Sequence, residues 1–136
     1  MLDAVEMLER GEFAQPDCLW KGGRLISFQV VGDRVAPAPD IPVEMDPLAD
    51  LTQLFSLTVD DTIYGGGESL SHGSFGFFFK HGAGGLEWLL FASQSDPFLG
   101  VEVTPTQVRF RSQSRDVWVV TGDDVAGTHI ERGRWD

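Results

Sequence analysis

The chain has no asparagine, one cysteine, one tyrosine and two lysines among its 136 residues. A lone Cys18 excludes an internal disulfide and agrees with a reducing compartment. No histidine lies near it in sequence to activate the thiol, so its expected role is small apolar packing. Asn and Lys codons are AT-rich, and their scarcity beside eight arginines reads as the coding bias of a GC-rich bacterial genome. No window approaches the ~20 consecutive apolar residues of a membrane span, and Asp3 and Glu6 stand where a secretory signal would carry bases. The expected location is the cytosol, without a membrane partner. Bases are scarce as well: ten against 21 acids give a formal charge of −11, which sets long-range repulsion against nucleic-acid phosphates.

What is present points to one folded domain over residues 1–136. The 42% hydrophobic and 11% aromatic content exceeds what disordered chains carry, and a chain of this length can bury a core without metals or disulfides. The acidity is uneven, with 12 acids and 4 bases up to Tyr64 and 9 acids and 6 bases after it. A basic protein is the natural partner of such a surface.

Asp3 to Arg10 reads as a short helix, with Asp3 as N-cap, Glu6 three residues on, Leu2, Val5 and Leu8 on one face, and Gly11 as its end. Leu19-Trp20, the Lys21-Gly22-Gly23 turn and alternating Ile26, Phe28 and Val30 spell a hairpin. Pro37, Pro39, Pro42 and Pro47 mark a surface loop. Asp46-Pro47 followed by Leu48, Leu51, Leu54 and Phe55 predicts a second helix, although Phe55, Leu57 and Val59 also alternate as a strand does.

Beyond Tyr64 the pattern is of strands. Gly65-Gly66-Gly67-Glu68-Ser69 is read as a turn or bulge. Phe75 to Lys80 and Leu86 to Phe91 are expected to be central strands apolar on both faces, with Leu86, Trp88 and Leu90 opposing Leu89 and Phe91. Val101 and Val103 with Val108 and Phe110 predict a hairpin pairing Val103 with Val108, Glu102 with Arg109 and Val101 with Phe110. Val117 to Val120 is the last expected strand. The expected fold class is α+β: a mainly antiparallel sheet of about 5–7 strands with one or two short helices in the N-terminal half.

Catalytic chemistry is thinly represented. The glycine run lacks the Gly-Lys-Ser/Thr ending of a P-loop and carries Glu68, which would repel phosphate. His72, His81 and His129 have no metal-ligand spacing, so no metal or cofactor is expected. No nucleophile elbow surrounds Ser69, Ser71 or Ser74. The acidic pairs Asp60-Asp61 and Asp123-Asp124 are read as turn positions, next to Thr62 and Gly122. With Glu68 and Trp135 they form the candidate partner-binding set. Trp88 and Trp118 are assigned to the core.

The succession Gly65-Gly66-Gly67-Glu68-Ser69, the Phe75 strand, Leu86-Glu87-Trp88-Leu89-Leu90-Phe91, Ser95-Asp96-Pro97-Phe98 and the strand holding Trp118 resembles small bacterial immunity proteins encoded beside polymorphic or secreted toxins. The resemblance covers about half the chain. The third block of that pattern more often carries asparagine, where this chain has Asp96. It implies a cytosolic, non-catalytic protein that binds and neutralises one cognate toxin, with no nucleic acid and no cofactor involved. Two other classes are carried beside it: a small ligand-binding domain or enzyme using the Gly65 to His81 loops with Glu68 and His72, and a structural subunit associating through a strand edge.

Overall fold

A computed structural model describes residues 3–69 and 75–133. Helix α1 (Ala4–Glu9) is followed by strands β1 (Glu12–Phe13), β2 (Cys18–Lys21), β3 (Arg24–Val31), β4 (Arg34–Pro37), β5 (Ala49–Asp50), β6 (Thr52–Val59) and β7 (Thr62–Ser69). Then come β8 (Phe75–Gly82), β9 (Gly85–Ala92), β10 (Phe98–Val103), β11 (Gln107–Ser112), β12 (Val117–Thr121) and β13 (Asp124–Glu131). Eleven of the strands form one antiparallel sheet in the order β10-β11-β12-β13-β4-β3-β2-β9-β8-β7-β6, while β1 and β5 pair separately. The sheet curls into a nearly closed barrel, and 61% of the described residues are in strands and 5% in the helix. The expected α+β fold with a sheet of 5–7 strands is therefore corrected to an almost all-β barrel.

Three local causes account for the difference. The predicted second helix is instead β5 and β6, because the apolar residues from Leu54 to Val59 follow the period of a strand packed beside β7. The Gly65-Gly66-Gly67 run, expected to be a turn, is the middle of β7 and is paired on both sides, with β6 and with β8. The end of the chain yields β13, whose interior positions are held by Val125, Thr128 and Ile130. Thr128 satisfies its buried hydroxyl by donating to the Val125 carbonyl at 2.6 Å.

Other expectations hold. Asp3 caps α1 by accepting from the Glu6 N-H at 2.9 Å, and Gly11 follows with φ of +70°. The apolar face expected from Leu2, Val5 and Leu8 is corrected: Ala4 and Met7 are the buried residues of α1, Val5 and Leu8 are half-buried, and Leu2 lies outside the described residues. Val103, Glu102 and Val101 stand opposite Val108, Arg109 and Phe110 as the hairpin pattern requires.

The interior is filled by Leu19, Phe28, Phe78, Trp88, Leu90, Phe98, Phe110, Trp118, Val120 and Ile130. A second core lies outside the barrel, where α1, β1 and β5 cover Cys18, Phe77, Phe79, Leu89 and Phe91. Strands β8 and β9 are thus buried on both faces, as their continuous apolar runs foretold. Leu86 departs from the expected alternation and joins the outer core with Leu89 and Phe91. The ladder between β8 and β9 slips at this point: Lys80 pairs with Trp88 but His81 with Leu86, so Glu87 bulges out. Cys18 is fully buried, and burial followed by the neighbouring Asp17 charge pushes its thiol well above the usual range. It packs as an apolar residue, its thiol facing the Ala14 carbonyl at 3.9 Å.

Candidate functional site at the barrel mouth

The antiparallel connections place five turns at one end of the barrel, between β6 and β7, β8 and β9, β2 and β3, β10 and β11, and β12 and β13. Two of them carry the acidic pairs. Val59 pairs with Thr62, leaving Asp60-Asp61 as a two-residue turn, and Asp60 takes φ of +54°. Thr121 pairs with Asp124, leaving Gly122-Asp123, with φ of +58° and +62°. Both are tight hairpins whose residues tolerate positive φ, which is why glycine and aspartate stand there.

Asp123 is the hub of this mouth. Its carboxylate accepts from the Lys80 ammonium at 2.7 Å and from the Trp88 indole N-H at 3.2 Å. Its backbone carbonyl accepts from the Lys21 ammonium at 2.6 Å. Lys80 projects inward beside Tyr64, its ammonium 5.9 Å from the ring centre, and also reaches Glu87 at 3.5 Å. The residues enclose a small hollow of about 140 Å³ with Thr104, Gln107 and Gly122 on its rim. The Lys80 hydrogen bond holds the Asp123 carboxyl below its ordinary value, against partial desolvation. Burial works against charge on Lys80, but the Asp123 bond and the Asp123, Tyr64 and Glu87 charges outweigh it and raise its pKa.

Asp123, depressed, stabilises the fold above its ordinary value of 3.8 and stops doing so as pH falls through its lower folded value. Lys80, raised, contributes below its ordinary 10.5 and ceases to as pH rises through its higher folded value. Asp123→Asn keeps a residue suited to positive φ and removes the charge. Because the Asp123 side chain is 52% exposed, the expected loss is only about 1 kcal/mol near neutrality. Thermal melts at several pH values should show the variant approaching the wild type as pH drops below 3.8. A variant equally destabilised at both extremes contradicts the assignment.

A scan of family models, a search of curated proteins and a search of solved structures each return no match to this chain.

The structure brings Asp60, Asp61, Asp123 and Asp124 to one end of the barrel and puts Glu68 toward the other, opposite Gly76 on β8. Trp135 and His72 lie outside the described residues. Of the four acids at the mouth, Asp123 is engaged internally. Asp60, Asp61 and Asp124 are exposed and make no ion pair among the described residues. Nothing in the sequence announced that both lysines converge on one aspartate, since Lys21, Lys80 and Asp123 are far apart along the chain.

The remaining histidines are accounted for locally. His129 contacts Glu131 at 3.3 Å, and Glu131 also receives Arg109 at 2.9 Å. His81 lines a groove outside the barrel. No group of three metal-ligating side chains occurs among the described residues. None of the helices described is long and apolar enough to cross a membrane.

Proposed function

We propose that the protein is a non-catalytic immunity protein that binds a cognate bacterial toxin, itself a basic protein, and neutralises it in the cytoplasm. The observation that carries this reading is the acidic mouth: Asp60, Asp61 and Asp124 are exposed on tight turns at one end of the barrel, in a chain of charge −11. Exposed acids on neighbouring turns of one end steer a partner of opposite sign and orient its docking. Of the residues named for the ligand-binding alternative, Gly65 to Gly67 are paired into the sheet on both sides and so offer no open loop.

The test is coexpression and copurification with the protein encoded beside it, together with growth rescue. Double replacement of Asp60→Lys and Asp61→Lys should slow association at least about tenfold at low salt, and less at high salt. A neighbour that is no toxin, or coexpression giving neither complex nor protection, overturns the proposal.

A further inference from the structure

The two ends of the eleven-stranded sheet are not alike. Strand β10, at one end, carries the charged Glu102 and a register break between Phe98 and Gly100. Both devices discourage pairing with another chain. Strand β6, at the other end, pairs among the described residues with β7 alone and reads Thr52-Gln53-Leu54-Phe55-Ser56-Leu57-Thr58-Val59, with no charge, proline or glycine. Its irregularity lies near its start, between Gln53 and Phe55, leaving Phe55 to Val59 in regular register with β7. Strand β10 packs across β7 and β6 without a ladder between them. Seven of the eight β6 residues remain exposed, with Leu54, Leu57 and Val59 each about two fifths accessible (44%, 38% and 39%).

A second feature adjoins this lip. A groove of about 320 Å³ runs along the outer face of the sheet beside α1, floored by Phe79, Ile63 and Leu86 and walled by Val5 and Leu8. Gln53, Ser56 and Thr58 of β6 form its remaining side, so edge and groove are one continuous surface.

We infer that β6 is a strand-addition site for an extended segment of a basic partner, apolar at its centre and carrying lysine or arginine at its ends. Main-chain hydrogen bonds to the open edge supply the register, and the groove takes a side chain from the added strand or from the residue that leaves it. Charge selects the occupant. Asp50 precedes β6 and Asp60-Asp61 follow it, so the uncharged strand is bracketed by acids. A second copy of the chain pairing antiparallel through β6 would set the acids at one end against those at the other, which disfavours self-association. A segment with basic ends meets opposite charge at both.

The inference rests on the reading of the protein as a binding protein but not on the identity of its target. The probe is a synthetic peptide of about ten residues, alternating valine and threonine with a pair of lysines at each end, titrated into the full chain. Amide hydrogen exchange is followed residue by residue. Protection confined to β6 is expected, with binding about tenfold weaker for the same peptide ending in glutamates. Binding should be abolished by N-methylation of alternate peptide amides, which leaves the side chains intact and removes the ladder. Leu57→Lys should also abolish it without touching the peptide.

Equal binding of the N-methylated peptide, unchanged β6 exchange at saturating peptide, or a dimer by light scattering that protects β6 without peptide each overturns the inference. The two readings fail separately. A neighbouring toxin that binds while β6 amides stay unprotected sinks strand addition alone. A peptide that adds to β6 while no toxin binds sinks the immunity reading alone.

Discussion

Replacing Gly67 with alanine is expected to destabilise the protein by about 3 kcal/mol or more and to abolish the folded state at moderately raised temperature. The physical reason is backbone contact. A Cβ at Gly67 would run into the Thr52 carbonyl oxygen and meet the Leu54 nitrogen at 2.8 Å, where β6 slips register against β7. Neither atom belongs to a flexible side chain that could swing aside, so the two strands would have to separate. Its neighbour Gly65 is crowded by the Phe79 ring at 2.6 Å, and Gly66 by the Phe77 carbonyl oxygen at 2.5 Å with the Phe55 ring at 3.0 Å. Aromatic rings there lie over bare backbone. The measurement is thermal or denaturant unfolding of Gly67→Ala beside Gly84→Ala, whose Cβ would meet nothing within 4 Å and whose stability should change little. Equal behaviour of the two variants would refute the crossing geometry.

Phe110→Ala is the second large effect, with an expected loss of about 3–5 kcal/mol. Phe110 is fully buried and stacks on Phe78 with ring centres 4.0 Å apart and planes within 8°. It meets Trp88 and Phe98 edge-on at 6.0 and 6.4 Å, and Phe55 at 6.4 Å. These rings come from β6, β8, β9, β10 and β11, so one side chain joins strands from both ends of the sheet order. Removing it opens a cavity at the seam, where β10 packs on β6 and β7 without a ladder to either. Phe110→Leu, which keeps more of the volume, should retain more of the stability. Chemical denaturation of both variants, with near-ultraviolet circular dichroism reporting on Trp88 and Trp118, checks the prediction. A loss below about 1 kcal/mol for alanine would mean that other contacts carry the seam.

Much of this fold was legible where local pattern and tertiary demand agree. Asp3 with Glu6 specified the helix start, and the alternation around Thr104-Pro105-Thr106 specified a hairpin register to the residue. The doubly apolar runs of β8 and β9 correctly announced strands covered on both sides. Three features were not legible. Glycine carries no side-chain periodicity, so Gly65 to Gly67 gave a turn signal although close approach, not turning, is what required it there. Leu48, Leu51, Leu54 and Phe55 have helical spacing by coincidence, and the pairing of β6 with β7 overrides it. Gly127 and His129 interrupt the apolar pattern of β13, whose inward positions show only as Val125, Thr128 and Ile130.

At the site, the sequence supplied the exposed acids and their turns but could not separate Asp123 from the others. Its role depends on Lys21 and Lys80, which reach it through contacts between distant strands. The open edge was hidden for the same reason, since strand order decides which segment lies outermost and no local property of Thr52 to Val59 encodes that order.

Strands β8 and β9 form a wall common to two compartments, the barrel interior on one side and the space beneath α1 on the other. Lifting the N-terminal helix and the short β1-β5 pair away would strip Phe77, Phe79, Leu89 and Phe91 of their cover while the barrel still stood. The small helical cap is therefore what keeps a finished barrel from presenting a sticky flank to its neighbours, and the first residues of the chain protect its solubility as much as its stability.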